Sequence, residues 1–146
     1  MESVDLEGYV VAGRRDRSYG DDERKCGGII VFVKADIADH VTLMHVSDLS
    51  ERLWVQGHTS NGTYLLCVWY RPPVDGEVQS MGSFESEPEA MRGNVLGTLI
   101  IGDLNVHCKR WLTYSASNSR EGEIMRTVCM RSGLRQLVLP LGPSYH

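Results

Sequence analysis

The chain has 146 residues, of which 42% are apolar and 23% charged. This composition fits one globular domain and excludes collagen-like, coiled-coil and wholly disordered proteins. Fifteen basic and nineteen acidic side chains give a net charge of −4, so no overall positive field binds nucleic acid non-specifically. The longest apolar stretches fall well short of the ~18 residues of a membrane-spanning helix, and the acidic amino terminus does not resemble a secretory signal. We therefore expect an intracellular protein that is not secreted.

The cysteine pattern predicts reduced thiols. Four cysteines lie far apart in the sequence, at Cys26, Cys67, Cys108 and Cys129. No CxxC pair is present to form a tetrahedral zinc site or a redox pair. Cys67 lies in an apolar strand-like run and Cys129 on the apolar face of a predicted helix, where free cysteine behaves as a small hydrophobic residue. We expect buried thiols and no disulfides.

The first 25 residues mix basic and acidic side chains around Gly13 and Gly20. Because the interleaved charges cancel any basic patch for nucleic acid, the pattern favours an exposed, solvated loop. Gly27-Gly28 then precedes the run Ile29–Val33, which is rich in β-branched residues and contains an aromatic one. Such a short apolar run predicts a buried strand.

Three more strands are predicted before residue 71, at Val41–Val46, Leu53–Gln56 and Thr63–Tyr70. Asn61-Gly62 accepts positive φ at both central turn positions and predicts a hairpin between the last two strands. Asn61-Gly62-Thr63 also fits a glycosylation acceptor, but the turn is favoured because no secretory signal is readable. Arg71-Pro72-Pro73 ends the third strand, since proline cannot donate to a ladder.

Fewer strands and helices are predicted in the second half of the chain. Residues 74–93 indicate a long loop with a weak helix near Phe84–Met91, in which Pro88 fits only the first turn. Gly97–Ile101 predicts a strand that ends at Gly102. Residues 121–132 combine helical apolar spacing with early acids and a cap at Gly133, and they form the clearest helix. Leu134–Leu139 predicts a last strand, so the whole pattern indicates a layered α/β domain.

One strand end carries residues suited to chemistry. The apolar run before Gly102 leads into Gly102-Asp103-Leu104-Asn105, and open α/β folds bind ligands at such sheet edges. Asp103 is suited to orient or deprotonate a water, and the Asn105 amide to donate hydrogen bonds to phosphoryl oxygens. The alternative is that both side chains only form a turn by bonding to their own backbone. The two residues considered alone favour that alternative.

Three motifs in order change this balance: GGIIVFV from Gly27, the strand end Tyr70-Arg71-Pro72-Pro73, and IIGDLNVHCKRW from Ile100. Followed by a helix and Ser132-Gly133-Leu134-Arg135-Gln136-Leu137-Val138, they resemble the endonuclease/exonuclease/phosphatase family. Within it, the pattern is most like the endonuclease domains of jockey-like non-LTR retrotransposons. The resemblance covers about residues 8–140. It implies an α/β fold, an incomplete four-layer α/β sandwich with two mixed β-sheets flanked by helices.

The resemblance implies a Mg²⁺- or Mn²⁺-dependent phosphodiester hydrolase that nicks DNA through a metal-activated water. By position, Asp103 matches the acid that positions or activates this water. Asn105 matches the amide that binds the scissile phosphate, and Tyr70 matches the tyrosine whose hydroxyl contacts the phosphate or the metal-bound water. The resemblance further implies a nuclear location and is compatible with fusion to a reverse transcriptase in the parent element. The short apolar stretches predict no membrane partner.

Three further residues of these motifs have two interpretations each. His107 matches a family position near the DNA-facing surface, and an ordinary loop histidine is the alternative. Arg71 would contact a phosphate, with an exposed loop cation as the alternative. Trp111 matches the tryptophan of the motif and is interpreted as a packing residue rather than a base-stacking platform.

The chain departs from the family at both ends. The family's upstream Asn and metal-binding Glu have no match, since Glu2 and Glu7 lie in the wrong context. The carboxy-terminal Asp and Ser-Asp-His are also missing, because no Ser-Asp precedes His146. We therefore expect residues 8–146 to be the central part of the domain, lacking its amino- and carboxy-terminal catalytic elements, with 1–7 as a tail. Asp103 remains the candidate metal ligand.

These departures leave a second interpretation, a catalytically inactive retroelement remnant or binding fragment. Apolar sheet faces left uncovered in such a partial domain would promote self-association. A zinc module built on His107-Cys108 lacks paired ligand spacing. A serine hydrolase is disfavoured because no Gly-x-Ser-x-Gly segment occurs.

Overall fold

The computed structural model describes residues 5–17, 27–91 and 93–137. Within them the chain is a mixed α/β protein with six strands, two α-helices and two short 3-10 helices. The chain divides into two compact units, residues 1–71 with 90–104 and residues 72–89 with 105–146. The strands all belong to the first unit and the α-helices to the second.

A two-stranded antiparallel sheet consists of β1 (Tyr9–Asp16) and β2 (Gly28–Lys34). The strand predicted after Gly27 is confirmed as β2, but the loop predicted for the first 25 residues is wrong over β1. Its apolar residues are few and half exposed and its end is charged, so the charge pattern hid a strand that pairing with β2 stabilises. Residues 1–4 and 18–25 of that predicted loop lie outside the described ranges.

The second sheet has the order β3-β4-β5-β6, with antiparallel neighbours except for the parallel pair β5–β6. Its strands are β3 (Val41–Val46), β4 (Glu51–Thr59), β5 (Gly62–Tyr70) and β6 (Val95–Asp103). All four predicted strands are confirmed, and β4 and β6 extend beyond their predicted ends. This sheet is mixed as expected, whereas the described two-stranded sheet is antiparallel only.

The hairpin between β4 and β5 is confirmed, but its predicted central residues are wrong. Thr59 pairs with Gly62, so Ser60 and Asn61 form the turn. Gly62 has φ of +138°, whereas Asn61 is not among the described residues with positive φ. The glycine therefore supplies its left-handed conformation at the first position of β5, and not inside the turn.

The two sheets of the first unit pack together through an apolar cluster. Ile29 of β2 and Leu53 and Val55 of β4 are buried at its centre. Partly buried residues packed against them include Leu66, Val68 and Tyr70 of β5. Burial of a side chain such as Leu53 contributes about 1.5–3 kcal/mol to stability. The alternate β5 residues Leu65, Cys67 and Trp69 are buried as well, as the two-residue period of a strand requires.

Strand β6 lies at the outer edge of the four-stranded sheet. Leu96, Leu99 and Ile101 remain between 45% and 57% exposed. These exposed apolar side chains form the surface through which we expect self-association. Association itself stays a prediction.

The second unit contains helices α1 (Gln79–Ser86) and α2 (Arg120–Arg131). The weak helix predicted near Phe84–Met91 begins earlier, as α1, and continues as a 3-10 helix over Glu87–Met91. The helix predicted over 121–132 is confirmed as α2, with Gly133 at φ +68° just beyond it.

The predicted strand Leu134–Leu139 is wrong over residues 134–137, which form no strand, and its last two residues lie outside the described ranges. Gln136 instead accepts hydrogen bonds from the backbone N–H and the hydroxyl of Thr113, at 3.1 and 3.2 Å. In residues 134–137, hydrogen bonds to the 105–119 segment thus take the place of pairing with another strand.

Helices α1 and α2 pack against each other. Phe84 of α1 and Met125 and Val128 of α2 are at most 2% exposed. At the surface, Arg131 Nη2 donates to Glu85 Oε2 at 2.8 Å. Such an exposed ion pair contributes little, about 0–1 kcal/mol, so apolar burial holds this pair of helices together.

Candidate functional site

The carboxyl ends of β5 and β6 bring two of the predicted site residues together. Tyr70 and Asp103 are register partners in the parallel pair. The backbone N–H of Arg71 then donates to the carbonyl of Asp103 at 2.9 Å, which extends the ladder one step past the strand end. A phenol and an exposed carboxylate therefore occupy adjacent positions at the sheet edge where α/β folds bind ligands.

Gly102 is required for this pairing. It has φ of +142°, and a Cβ atom at this position would overlap the carbonyl oxygen of its register partner Trp69. Only glycine combines that backbone conformation with so close an approach of two strands. The Gly-Asp order of the motif thus has a structural cause, because the glycine lets β6 stay against β5 up to Asp103.

Arg71 is a buried residue of the first unit. It is 2% exposed, and its Nη1 donates to the carbonyl of Leu104 at 3.4 Å. The interpretation as an exposed loop cation is therefore wrong, because the guanidinium turns inward to the chain that leaves β6. A phosphate contact by Arg71 stays a prediction.

Two residues that the sequence interpretation missed lie at the same edge. Glu51, the first residue of β4, is the register partner of Tyr70 on the side opposite β6. Arg17 binds both carboxylate oxygens of Glu51, with Nη2 to Oε2 at 3.0 Å and Nε to Oε1. The same guanidinium lies over the Tyr70 ring at 4.9 Å from its centroid. Nothing in the local pattern signals this cluster, because Arg17 and Glu51 are 34 positions apart.

Asn105 and His107 belong to the second unit. Among described residues other than glycine, Asn105 alone has a positive φ, +46°, a left-handed conformation that asparagine tolerates better than most residues. His107 has an exposed side chain. Its carbonyl accepts the backbone N–H of Ser119 at 2.8 Å, which fastens the motif to the start of α2. The structure thus groups Tyr70, Arg71 and Asp103 in one unit and these two residues in the other.

His107 lines an open cavity of about 250 Å³ in the second unit. The other lining residues are Val106, Leu112, Tyr114, Ser115 and Gln136. Trp111, on the same segment, is partly buried. That burial agrees with a packing residue.

The described residues contain no cluster of three metal-ligating side chains. Mg²⁺ requires near-octahedral oxygen ligands anchored by carboxylates. No group of three or more His, Cys, Asp or Glu side chains suited to a metal occurs among residues 5–17, 27–91 and 93–137. Both carboxylate oxygens of Glu51 accept from Arg17, and Asp103 is a second carboxylate at this sheet edge.

Within the described ranges, His107 and Cys108 likewise belong to no group of three such side chains. Cys108 is fully buried, and its Sγ donates to Glu123 Oε1 at 3.6 Å. Cys67, Cys108 and Cys129 are free thiols, and Cys26 lies outside the described residues. These thiols therefore pack in the interior, as expected for the two that the sequence placed on apolar faces.

Two ionisable groups of α2 have shifted pKa values. The guanidinium of Arg110, 2.8 Å away, lowers the pKa of the Glu123 carboxyl by hydrogen bonding, and Glu123 in turn raises the pKa of Arg110. Burial raises the pKa of the Cys129 thiol to about 11. A thiol with this pKa stays protonated at neutral pH and is a poor nucleophile.

No family model, curated protein or solved structure matches the chain. Within its described part, no helix has the length and apolarity to cross a membrane.

Proposed function

We propose that this chain is a phosphodiester hydrolase domain of the endonuclease/exonuclease/phosphatase type that nicks DNA. The observation that carries the proposal is the register pairing of Tyr70 with Asp103 at the carboxyl ends of two parallel strands. The mixed four-stranded sheet with a second sheet packed on it is compatible with the α/β sandwich of that family. Retroelement origin, nuclear location and fusion to a reverse transcriptase belong to the same proposal.

In this proposal Asp103 accepts a proton from, or orients, the water that attacks the phosphorus. The P–O bond to one sugar oxygen breaks, and that oxygen leaves with a proton taken from solvent water. The Tyr70 hydroxyl donates a hydrogen bond to a phosphoryl oxygen, where negative charge grows as the water attacks. By resemblance, the amide of Asn105 is a further candidate hydrogen-bond donor to phosphate. These steps are the ones that the side chains of this chain can perform, and the dependence on Mg²⁺ is a matter for experiment.

The test is nicking of supercoiled plasmid by the purified 146-residue chain, with Mg²⁺ or with chelator. Asp103→Asn keeps the size of the side chain and removes the carboxylate. Asp36→Asn is the matched control, since Asp36 is exposed in the 3-10 helix Ala35–His40. We expect the control to nick normally and Asp103→Asn to lose about 10²–10⁴-fold in rate, the range of general acid–base catalysis. Equal rates in the two variants would refute the role of Asp103.

A second candidate is a catalytically inactive remnant that still binds DNA. The observation in its favour is the commitment of both Glu51 oxygens to Arg17, which makes this carboxylate a poor ligand for a metal ion. Fluorescence anisotropy with a labelled duplex, at several salt concentrations, tests it. Salt-dependent binding by a folded chain that nicks neither with Mg²⁺ nor with Mn²⁺ would favour this candidate.

A further inference from the structure

Arg17, Glu51 and Tyr70 form a three-residue contact in the first unit. The Glu51 side chain is 10% exposed and that of Arg17 22%. A carboxylate removed from water to this degree is costly unless it is paired. Both of its oxygens accept from one guanidinium, and such two-point pairing fixes the plane of the guanidinium as well as its position.

The fixed guanidinium confines the Tyr70 ring from one side. Its central carbon lies 4.9 Å from the ring centroid, a separation typical of cation–π stacking. Tyr70 also packs against the buried cluster of Ile29, Leu53 and Val55. The ring thus has a paired cation and an apolar cluster as neighbours, and both limit the space into which it can turn.

The rotamer of Tyr70 decides where its hydroxyl lies. Rotation about χ2 leaves the oxygen on the ring axis, whereas a change of χ1 carries it across the end of the sheet. Since Asp103 is the register partner of Tyr70, a change of χ1 alters the distance between the phenol oxygen and the Asp103 carboxylate.

We propose that Arg17 is a positioning residue. By binding Glu51 and stacking on Tyr70, it selects the Tyr70 rotamer and with it the position of the phenol hydroxyl relative to Asp103. Its effect on catalysis rests on the proposed function, but its effect on the Tyr70 rotamer does not. Arg14 is the matched comparison, because it lies on β1 and pairs with Asp16 of the same strand.

The rotamer is measured directly by fluorine NMR of the chain labelled with 3-fluorotyrosine, with the Tyr70 signal assigned through Tyr70→Phe. We expect Arg17→Gln to shift and broaden or split this signal, and Arg14→Gln to leave it unchanged. Arg17→Lys keeps the charge but loses the two-point pairing, so we expect it to move the signal too. It serves as the test if Arg17→Gln does not fold. An unchanged Tyr70 signal in a folded Arg17 variant would overturn the proposal.

Nicking kinetics provide the second readout. We expect Arg17→Lys to lower kcat about tenfold or more with little change in KM, because misplacing a reacting group by on the order of 1 Å costs up to about 10²-fold in rate. An unchanged kcat beside a displaced Tyr70 signal would refute the catalytic part. If the wild-type chain does not nick at all, the proposed function fails, while the fluorine signal still decides whether Arg17 positions Tyr70.

Discussion

Tyr70 and Asp103 are aligned across the parallel β5–β6 pair, although 32 residues of sequence, 71–102, separate them. The alignment depends on Gly102, which lets β6 remain against β5 to its last residue. It places a phenol-bearing and a carboxylate-bearing residue at adjacent positions of the sheet. The proposed chemistry and the experiments that test it start from this pair.

Tyr70→Phe separates the chemical role of the tyrosine from its packing role. The variant keeps the ring that stacks under Arg17 and removes only the hydroxyl. We expect the free energy of unfolding to change by no more than about 0.5–1 kcal/mol, and nicking to fall about 10-fold or more through loss of one hydrogen bond to the transition state. Urea denaturation and plasmid nicking measure the two effects. A stable variant with full nicking activity would exclude a role for the hydroxyl.

Gly102→Ala tests the close approach of β5 and β6. An alanine there would need a left-handed backbone and would collide with the Trp69 carbonyl oxygen. We expect destabilisation by about 3 kcal/mol or more, or failure to fold.

Gly97→Ala on the same strand is the control for this substitution. Its added Cβ would meet Tyr64 Cδ1 at an ordinary 3.5 Å. Equal stability of the two alanine variants, measured by thermal unfolding, would contradict the structural requirement at Gly102.

Ser119→Ala tests the start of α2. Ser119 Oγ accepts the backbone N–H of Gly122 at 3.0 Å, and loss of such a cap costs about 1 kcal/mol. Ser117→Ala is the comparison, since Ser117 is exposed and contributes its carbonyl, not its hydroxyl, to the hydrogen bond from Ser115. We expect the midpoint of urea unfolding to fall in the first variant only.

Because the Cys129 thiol is buried, we expect the folded chain to lose stability at alkaline pH. Burial raises the pKa of this thiol from 9.0 to about 11 in the folded chain. Between these pH values the unfolded chain releases the proton and the folded chain keeps it, so the free energy of unfolding falls as pH rises. The expected contribution is roughly 1–2 kcal/mol. Urea denaturation at pH 8.5 and 11 should show a smaller decrease for Cys129→Ala, and identical decreases would contradict the assignment.

The sequence predicted those elements whose residues form continuous apolar or periodic runs. Strands β2, β3 and β5 and helix α2 are of this kind, and their boundaries agree with the predictions to within one or two residues. Strand β1 was missed because its pairing with β2, rather than its own composition, stabilises it. The strand predicted after Gly133 is the opposite case, a predicted strand that does not form over residues 134–137. An apolar run forms a strand only where another strand pairs with it.

The candidate site was predictable only in part. Strand ends are visible in the sequence, so Tyr70 and Asp103 could be assigned to the edge of a sheet. Their mutual register could not, because it depends on pairing between distant segments. The pairing of Arg17 with Glu51 was invisible for the same reason, and the sequence instead assigned Arg17 to a solvated loop.

The parallel β5–β6 pair also bears on the order of folding. The antiparallel strands β3, β4 and β5 are joined by short turns, whereas β6 can pair only after residues 71–94 have closed a long loop. The entropy of that closure must be lost before the non-local pairing stabilises the chain. We therefore expect β6 to join last, so that a partly folded chain with the β4–β5 hairpin in place has no aligned Tyr70 and Asp103. The proposed nicking activity would then appear only with the final folding step, and unfinished chains would be inert toward DNA.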